Sequence, residues 1–175
     1  MNHLYSAIRD IPDFPSAGIV YKDITPLLLN PPLFADVIDR MTAAFAGLDV
    51  EKVIAIESRG FIFGSPVARA LGAGLALARK PGKLPAETHR VDYDLEYGSD
   101  AIETHLDSIS PGERVVVIDD VLATGGTAQA TARAAEAIGG TVVGLGFLIE
   151  LAFLNGRDKL EGRNVWSLLS YPRER

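Results

Sequence analysis

Cysteine is absent from this sequence of 175 residues. The chain therefore has no disulfide, no catalytic thiolate and no metal site with thiolate ligands. Long apolar runs are absent too, since none approaches the roughly 20 residues of a membrane-spanning helix. The N-terminal segment MNHLYSAIRDIPDFP carries early charges and lacks the apolar centre of a signal peptide. From these absences we expect a soluble, cytoplasmic protein with no membrane partner.

Positive charge is in the minority. The chain has 17 Lys and Arg residues against 23 Asp and Glu residues, which gives a formal net charge of -6. The sequence contains no basic block, so nonspecific nucleic-acid binding is disfavoured and we expect no nucleic-acid partner. An acidic protein that binds a polyanion must hold it locally, through backbone N–H groups, a few cations or Mg²⁺.

A chain of this length is expected to form one domain, here residues 1–175, which can bury roughly 70% of its unfolded surface. Short apolar runs alternate with helical periods along the sequence. This alternation predicts an α/β fold with an open, mainly parallel twisted sheet and helices on both faces. We expect strands at 52–56, 75–78, 115–118, 141–149 and 165–169, an edge strand at 101–106, and helices at 2–9, 33–47, 61–71 and 128–138.

The most informative stretch is VVVIDDVLATGGT at positions 115–127. Its first four residues are β-branched and apolar, which predicts a strand buried on both faces. Asp119 and Asp120 are expected to end this strand, and an alanine-rich helix follows the glycines. A strand, a glycine turn and a helix N-terminus form an anion site. Backbone N–H groups point outward there, and the helix dipole adds about half a positive charge.

The turn itself suits a phosphate group. Its two glycines tolerate positive φ and carry no Cβ that would hold a phosphate away, and its two threonines can donate from their hydroxyls or cap the helix. The stretch has no lysine and does not match the nucleotide-binding P-loop pattern. The candidate phosphate-binding residues are Ala123, Thr124, Gly125, Gly126 and Thr127.

The two carboxylates distinguish this site from an ordinary phosphate loop. Asp119 and Asp120 would repel a phosphate unless a ribose diol or Mg²⁺ lay between them, since hard cations prefer oxygen ligands. The ligand indicated is therefore a sugar phosphate, with its phosphate on the turn and its hydroxyls or Mg²⁺ at the acids. The alternative is a solvent-exposed Asp pair before a capped helix.

The same stretch resembles the phosphoribosyl pyrophosphate (PRPP) motif of the type I phosphoribosyltransferases, and the surrounding chain resembles the adenine phosphoribosyltransferases among them. Five motifs carry the resemblance in the family's order, at 11–28, 57–68, 79–85, 93–98 and 115–127. The resemblance implies purine salvage, in which the 5-phosphoribosyl group passes from PRPP to adenine to give AMP and pyrophosphate. It also implies Mg²⁺ as the cofactor and a homodimer. Two alternatives stay open, a 6-oxopurine phosphoribosyltransferase and a non-catalytic regulator that senses PRPP.

The resemblance assigns residues 1–32 to a hood over the purine. Backbone groups of Val20 and Lys22 would read the adenine edge, because an extended backbone offers donors and acceptors that distinguish a 6-amino from a 6-oxo purine. Tyr21, where the family usually has Phe, would pack against the ring. The alternative is an N-terminal arm that packs over the edge of the domain, with Tyr21 as part of the core.

A second polar turn follows the strand predicted at 52–56, at the sheet edge where open α/β sheets bind ligands. Ser58 and Arg59 lie in this turn, and the planar guanidinium of Arg59 suits the oxygens of a diphosphate. Arg59 is accordingly a predicted catalytic residue as well as a PRPP ligand. The alternative is a surface Arg paired with Glu57. The resemblance further implies a non-proline cis peptide bond in this turn.

Residues 79–98 are long and charged for a loop in a compact domain, which favours a mobile lid. Arg79 and Lys83 are candidate cations for the diphosphate. The resemblance assigns Glu96 as the catalytic acid or base that handles the purine proton, and Tyr97 as a cover over the reacting sugar. The alternative is a solvent-exposed hairpin.

Overall fold

Five parallel strands form the central sheet of the computed structural model, which describes residues 2–94 and 98–173. The strands of the fold are β1 (Arg9–Ile11), β2 (Tyr21–Asp23), β3 (Lys52–Ile56), β4 (Gly74–Ala78), β5 (Thr88–Asp94), β6 (Ser99–His105), β7 (Arg114–Leu122), β8 (Thr141–Leu151) and β9 (Val165–Tyr171). The central sheet has the order β4-β3-β7-β8-β9. Two antiparallel ribbons, β1-β2 and β5-β6, lie beside it. The predicted mainly parallel sheet is confirmed.

Helices cover both faces of this sheet. They are α1 (Asn2–Tyr5), α2 (Thr25–Leu28), α3 (Pro31–Phe45), α4 (Gly60–Leu71) and α5 (Gly126–Ala137), with two 3-10 helices at Ala152–Leu154 and Gly156–Leu160. One core cluster joins α3 and α4 to one face, and a second joins α5 and the β5-β6 ribbon to the other. No helix in the described ranges is long and apolar enough to cross a membrane.

Strand β7 is buried on both faces, as its sequence predicts. The side chains of residues 115–118 are all 0% exposed. Those at even positions join the α3 and α4 cluster, and those at odd positions join the α5 cluster. Successive residues of a strand point to opposite faces, so the same alternation continues into the acids that follow.

The prediction that Asp119 and Asp120 end this strand is wrong. Strand β7 continues to Leu122, because β8 runs alongside and pairs Asp119 with Phe147 and Leu122 with Glu150. Backbone hydrogen bonds to a neighbouring strand thus outweigh the low strand propensity of aspartate.

The segment 79–98 also differs from a simple loop. Its second half forms β5, which pairs in antiparallel register with β6. The edge strand predicted at 101–106 is β6 of this ribbon. In the described part of the chain, an isolated backbone bridge between Glu103 and Arg79 links β6 to the residue that follows β4. The helix predicted at 2–9 is limited to α1, because the chain turns to form β1 against β2.

Candidate active site

The glycine turn after β7 encloses a small cavity where the sequence predicts a phosphate site. The cavity measures about 70 Å³. Gly125 has φ +80° and is the N-cap of α5, so no side chain at the N-cap can accept the N–H groups of the first helical turn. Those groups therefore stay available to an anion. The lining residues are Asp119 and residues 121–128, which include all five candidate phosphate-binding residues.

A second glycine, Gly156, packs against the backbone of this turn. A Cβ on Gly125 would lie 2.3 Å from the carbonyl oxygen of Gly156, and a Cβ on Gly156 would lie 2.2 Å from the carbonyl oxygen of Ala123. The two backbones therefore touch, and each position requires glycine. The sequence does not predict this role of Gly156, because nothing in the local sequence shows which segment packs against the turn.

Polar contacts from neighbouring elements hold the 3-10 helix that carries Gly156. Arg157 donates from Nε and Nη2 to the two carboxylate oxygens of Glu150 on β8, at 2.7 and 2.8 Å. From α5, Gln129 Nε2 donates to the carbonyl of Lys159 at 2.7 Å. Bidentate Arg–carboxylate pairs fix geometry as well as charge, so the 3-10 helix that carries Gly156 is tied to both elements flanking the cavity.

The side chains of Asp119 and Asp120 point to opposite faces of the sheet. Asp119 lines the phosphate cavity, whereas Asp120 points to the opposite face and is 3% exposed. Asp119 Oδ1 accepts a hydrogen bond from the Asp120 N–H at 2.8 Å. Burial, reinforced by the charge of Asp120, raises the pKa of Asp119 well above its usual value. Burial also raises the pKa of Asp120, although Arg59 acts in the opposite direction.

Arg59 is bound within the site rather than on the surface. Its Nε lies 3.0 Å from Asp120 Oδ2, and its Nη1 donates a hydrogen bond to the Tyr21 hydroxyl. The guanidinium carbon also lies 5.2 Å from the centre of the Tyr21 ring, in cation–π range. The alternative pairing of Arg59 with Glu57 is not observed, because the carboxylate of Glu57 binds Arg79 instead.

The turn that carries Arg59 packs closely against the end of β7. A Cβ on Gly60 would lie 2.8 Å from the carbonyl oxygen of Ile118 and 2.9 Å from Asp119 Oδ1. The peptide bond between Glu57 and Ser58 is cis, in the turn where the resemblance implies one. Ser58 is exposed at this edge. The second predicted ligand turn is thus brought next to the first.

A second cavity of about 190 Å³ lies beside Arg59, beneath the N-terminal segment. Tyr21 forms one wall, and its ring meets that of Phe14 edge-on at a centroid distance of 5.3 Å. The sequence does not predict that Val121 and Leu151 line one cavity, because β7 and β8 bring them together only in the folded sheet. The lining residues are Ile19, Val20, Tyr21, Lys22, Arg59, Val121, Ala123 and Leu151.

The Lys22 side chain turns away from this cavity. It is 3% exposed, its Nζ donates to Asp10 Oδ1 at 2.6 Å, and it lies 4.5 Å from the centre of the Tyr171 ring. Only the backbone of Lys22 can therefore face a ligand there. That the backbone groups of Val20 and Lys22 read the base stays a prediction.

The two predicted diphosphate cations differ in their surroundings, since Arg79 is paired with a carboxylate and Lys83 is exposed. Arg79 Nε lies 3.1 Å from Glu57 Oε2, and its Nη1 donates to the Lys83 carbonyl at 3.1 Å. Lys83 is exposed. The neighbouring Lys80 pairs with Asp100 and donates to the Tyr93 hydroxyl at 3.2 Å. Glu96 and Tyr97 lie outside the described residues, so their predicted roles stay predictions.

The resemblance implies Mg²⁺, and the residues suit an ion that arrives with its substrate. Across 2–94 and 98–173, no three or more His, Asp or Glu side chains are grouped to hold a metal. One oxygen of Asp120 is nevertheless buried without an aligned hydrogen-bond donor. Mg²⁺ is commonly bound by one or two carboxylates together with substrate phosphates, which is the donor set that Asp119 and Asp120 could complete.

Comparison with known proteins identifies close relatives of this chain. Residues 28–169 match the family model described as the phosphoribosyl transferase domain. An adenine phosphoribosyltransferase of Anaeromyxobacter dehalogenans is 55% identical over 171 residues, which is 98% of this chain and 99% of that protein.

Two solved structures add the comparison in three dimensions. The adenine phosphoribosyltransferase of Thermoanaerobacter pseudethanolicus is 48% identical with a TM-score of 0.95, covering 97% of this chain and 99% of the other. That of Saccharomyces cerevisiae, crystallised with an imino-altritol bisphosphate and adenine, is 40% identical with a TM-score of 0.90, covering 96% and 97%.

Proposed function

The chain belongs to the phosphoribosyl transferase family and acts as an adenine phosphoribosyltransferase, and we propose that its reaction takes place at the two cavities beside the end of β7. Adenine and PRPP react there to give AMP and pyrophosphate. The sugar carbon C1′ loses pyrophosphate, develops oxocarbenium character and is attacked by a purine ring nitrogen. A site for this reaction must hold two anionic groups, orient the base and keep water from the sugar.

The single observation that carries the proposal is the phosphate-sized cavity at the start of α5, with an acid at its edge. Residues 123–127 offer backbone N–H groups to the 5′-phosphate, and the hydroxyls of Thr124 and Thr127 add to them. Asp119 lines the same cavity, so it is placed to accept from the ribose hydroxyls. A phosphate and a diol held at such neighbouring points fix the orientation of the sugar.

Arg59 and Asp120 exchange partners when the substrate binds. The guanidinium of Arg59 now lies against Asp120 and Tyr21. A diphosphate is a stronger partner for a planar guanidinium than one carboxylate, so PRPP draws Arg59 away and leaves Asp120 free to contact the ribose. Bound Mg²⁺ would neutralise charge on the diphosphate and would have Asp119 and Asp120 nearby.

Ser58, Arg79 and Lys83 complete the proposed diphosphate site. Lys83 is exposed, and Arg79 is bound to Glu57, so Arg79 must leave that carboxylate before it reaches the leaving group. Each cation stabilises negative charge that grows on the pyrophosphate as the bond to C1′ breaks.

The cavity of about 190 Å³ beside Arg59 is the proposed adenine site. Tyr21 packs against the purine ring, and the backbone groups of Val20 and Lys22 read its edge. The ion pair between the buried Lys22 side chain and Asp10 keeps this short strand in place, which supports a backbone reading of the base. Residues 1–32 act as the hood, and 79–98 act as the lid that excludes water.

Glu96 is the proposed acid or base for the purine proton, and Tyr97 is proposed to cover the sugar; both assignments rest on the resemblance. A homodimer rests on the same ground, whereas the proposed cytoplasmic location rests on the sequence, which has no long apolar run. Sedimentation or light scattering of the purified protein tests the dimer.

The function is tested by base specificity. Purified protein is incubated with PRPP and Mg²⁺ and with adenine, hypoxanthine or guanine, and nucleotide and pyrophosphate are measured. We expect AMP from adenine and no comparable product from the other bases. Faster formation of IMP or GMP would support the 6-oxopurine alternative, and PRPP binding without any nucleotide product would support the regulator.

A further inference from the structure

The hydroxyl of Tyr93 on β5 lies at the centre of a hydrogen-bond network beside the phosphate cavity. Thr127 Oγ1 donates to it at 3.1 Å, and Lys80 Nζ donates to it at 3.2 Å. The hydroxyl in turn donates to Asp100 Oδ2 at 3.2 Å. One donated and two accepted bonds use the whole hydrogen-bonding capacity of a phenol. Tyr93 therefore connects the β5-β6 ribbon to a residue of the proposed phosphate site.

The ring of Tyr93 makes a second contact with the same turn of α5. A Cβ on Gly126 would lie 3.2 Å from Cδ2 of this ring and 3.5 Å from the carbonyl oxygen of Asp94. Gly126 thus allows the ring to lie closely on the backbone whose N–H groups face the cavity. The ring and the hydroxyl hold two successive residues of the phosphate turn.

The network is anchored from the side away from the cavity. Tyr93 and Asp100 are direct cross-strand partners in the ribbon. Lys80, which follows β4, pairs with Asp100. Burial lowers the pKa of Lys80, but hydrogen bonds to Asp100 and Tyr93 outweigh it, so the pKa is raised. Burial raises the pKa of Asp100, but Lys80 and the Ala101 N–H outweigh it, so the pKa is lowered. Both side chains are charged near neutral pH.

Tyr93 itself is not part of the cavity lining. Within the described part of the chain, that lining consists of Asp119 and residues 121–128. Any effect of Tyr93 on a bound phosphate must therefore pass through Thr127 and Gly126.

We propose that Tyr93 is a positioning residue for PRPP, which fixes the first turn of α5 in the arrangement that binds the 5′-phosphate. The inference rests on the proposed function, because it assigns the phosphate of PRPP to this turn. Thr127 has one hydroxyl proton, and without a bound phosphate it donates that proton in the hydrogen bond to the Tyr93 hydroxyl. When Thr127 donates to the phosphate instead, its oxygen can accept from the Tyr93 hydroxyl, and Asp100 keeps its bond to Lys80. The network can therefore follow the substrate without breaking the contact between β5 and α5.

The test is Tyr93→Phe, which removes the hydroxyl and keeps the ring. One hydrogen bond of ordinary strength predicts a two- to tenfold rise, roughly, in KM for PRPP and in the dissociation constant of ribose 5-phosphate. KM for adenine, kcat and the midpoint of thermal unfolding should stay close to those of the wild type. Asp100→Asn should weaken PRPP binding in the same direction but add little to Tyr93→Phe, because both act through one network.

Ser108→Ala is the control, because it also removes one hydrogen-bonding hydroxyl near the β5-β6 ribbon. The Ser108 hydroxyl donates to the His105 carbonyl at 2.7 Å, and Ser108 is not among the residues that line the phosphate cavity. This variant should leave both KM values unchanged. Unchanged affinity for PRPP and ribose 5-phosphate in Tyr93→Phe would overturn the inference. So would equal rises in both KM values with a lower unfolding midpoint, since those indicate a purely structural role.

Calorimetry with ribose 5-phosphate separates the inference from the function. If the wild type binds ribose 5-phosphate but makes no AMP, the proposed activity fails, and the affinity of Tyr93→Phe still decides the role of Tyr93. If the wild type does not bind ribose 5-phosphate, the inference fails with the phosphate site.

Discussion

Replacing Gly125 with alanine tests the phosphate turn through two separable penalties. The first is conformational, since Gly125 has φ +80°. A side chain in this left-handed region costs about 1–2 kcal/mol. The second is steric, because the new Cβ would lie 2.3 Å from the carbonyl oxygen of Gly156, whereas ordinary contact begins near 3.4 Å. The two backbones must then move apart by about 1 Å, and forced overpacking of this kind costs about 1–3 kcal/mol.

The chain offers a matched control for the conformational penalty. Gly162 has φ +77° and no atom within 4 Å of its would-be Cβ. Gly162→Ala should therefore lose only about 1–2 kcal/mol of unfolding free energy, or roughly 2–8 °C of melting temperature. It should keep its PRPP affinity.

Gly125→Ala should lose about 2–5 kcal/mol and should bind PRPP more weakly by on the order of 10²-fold, as expected for a 1 Å displacement of a positioned group. Thermal unfolding and calorimetric titration with PRPP measure the two effects. The reasoning is refuted if Gly125→Ala and Gly162→Ala behave alike in both assays.

Three further predictions concern ionisable groups. Because burial raises the pKa of Asp119, its charge opposes folding increasingly as pH rises from about 4. Asp119→Asn should therefore raise the melting temperature at pH 7, with a smaller rise at pH 4, and should weaken PRPP binding. Normal PRPP affinity in this variant would contradict the assignment of Asp119 to the ribose. Arg157 lowers the pKa of Glu150 from its ordinary 4.5, so Glu150→Gln should lower the melting temperature at neutral pH. Its difference from the wild type should shrink as the pH falls below 4.5 and vanish once the pH is below the lowered pKa of Glu150. A constant difference would exclude the ion pair as its cause. Glu96→Gln should lower kcat by about 10²- to 10⁴-fold with normal PRPP affinity, and unaltered turnover would remove Glu96 from the chemistry.

The parts of the site that the sequence predicts well are those whose geometry is local. The buried run of β7 and the glycine bend at the start of α5 depend on neighbours within a few residues, so propensity and spacing locate them. The close approach of Gly156 to Gly125 depends instead on a segment about thirty residues further along the chain. Only the folded sheet shows why both positions need glycine.

Charge pairing was the hardest feature to predict, for a related reason. Glu57 lies two residues from Arg59 in sequence, yet it binds Arg79, which directly follows the neighbouring strand β4. Arg59 instead binds Asp120 across the carboxyl edge of the sheet. The extension of β7 through both acids has the same origin, since β8 supplies the hydrogen bonds. Partners brought by parallel strands cannot be assigned from short-range sequence.

A crystal structure of the protein with AMP is the most direct test of the central claim. We expect the 5′-phosphate to lie on the backbone N–H groups of residues 123–127, the ribose hydroxyls at Asp119, and the adenine ring against Tyr21. A nucleotide bound elsewhere, with the glycine turn after β7 facing solvent, would contradict the account.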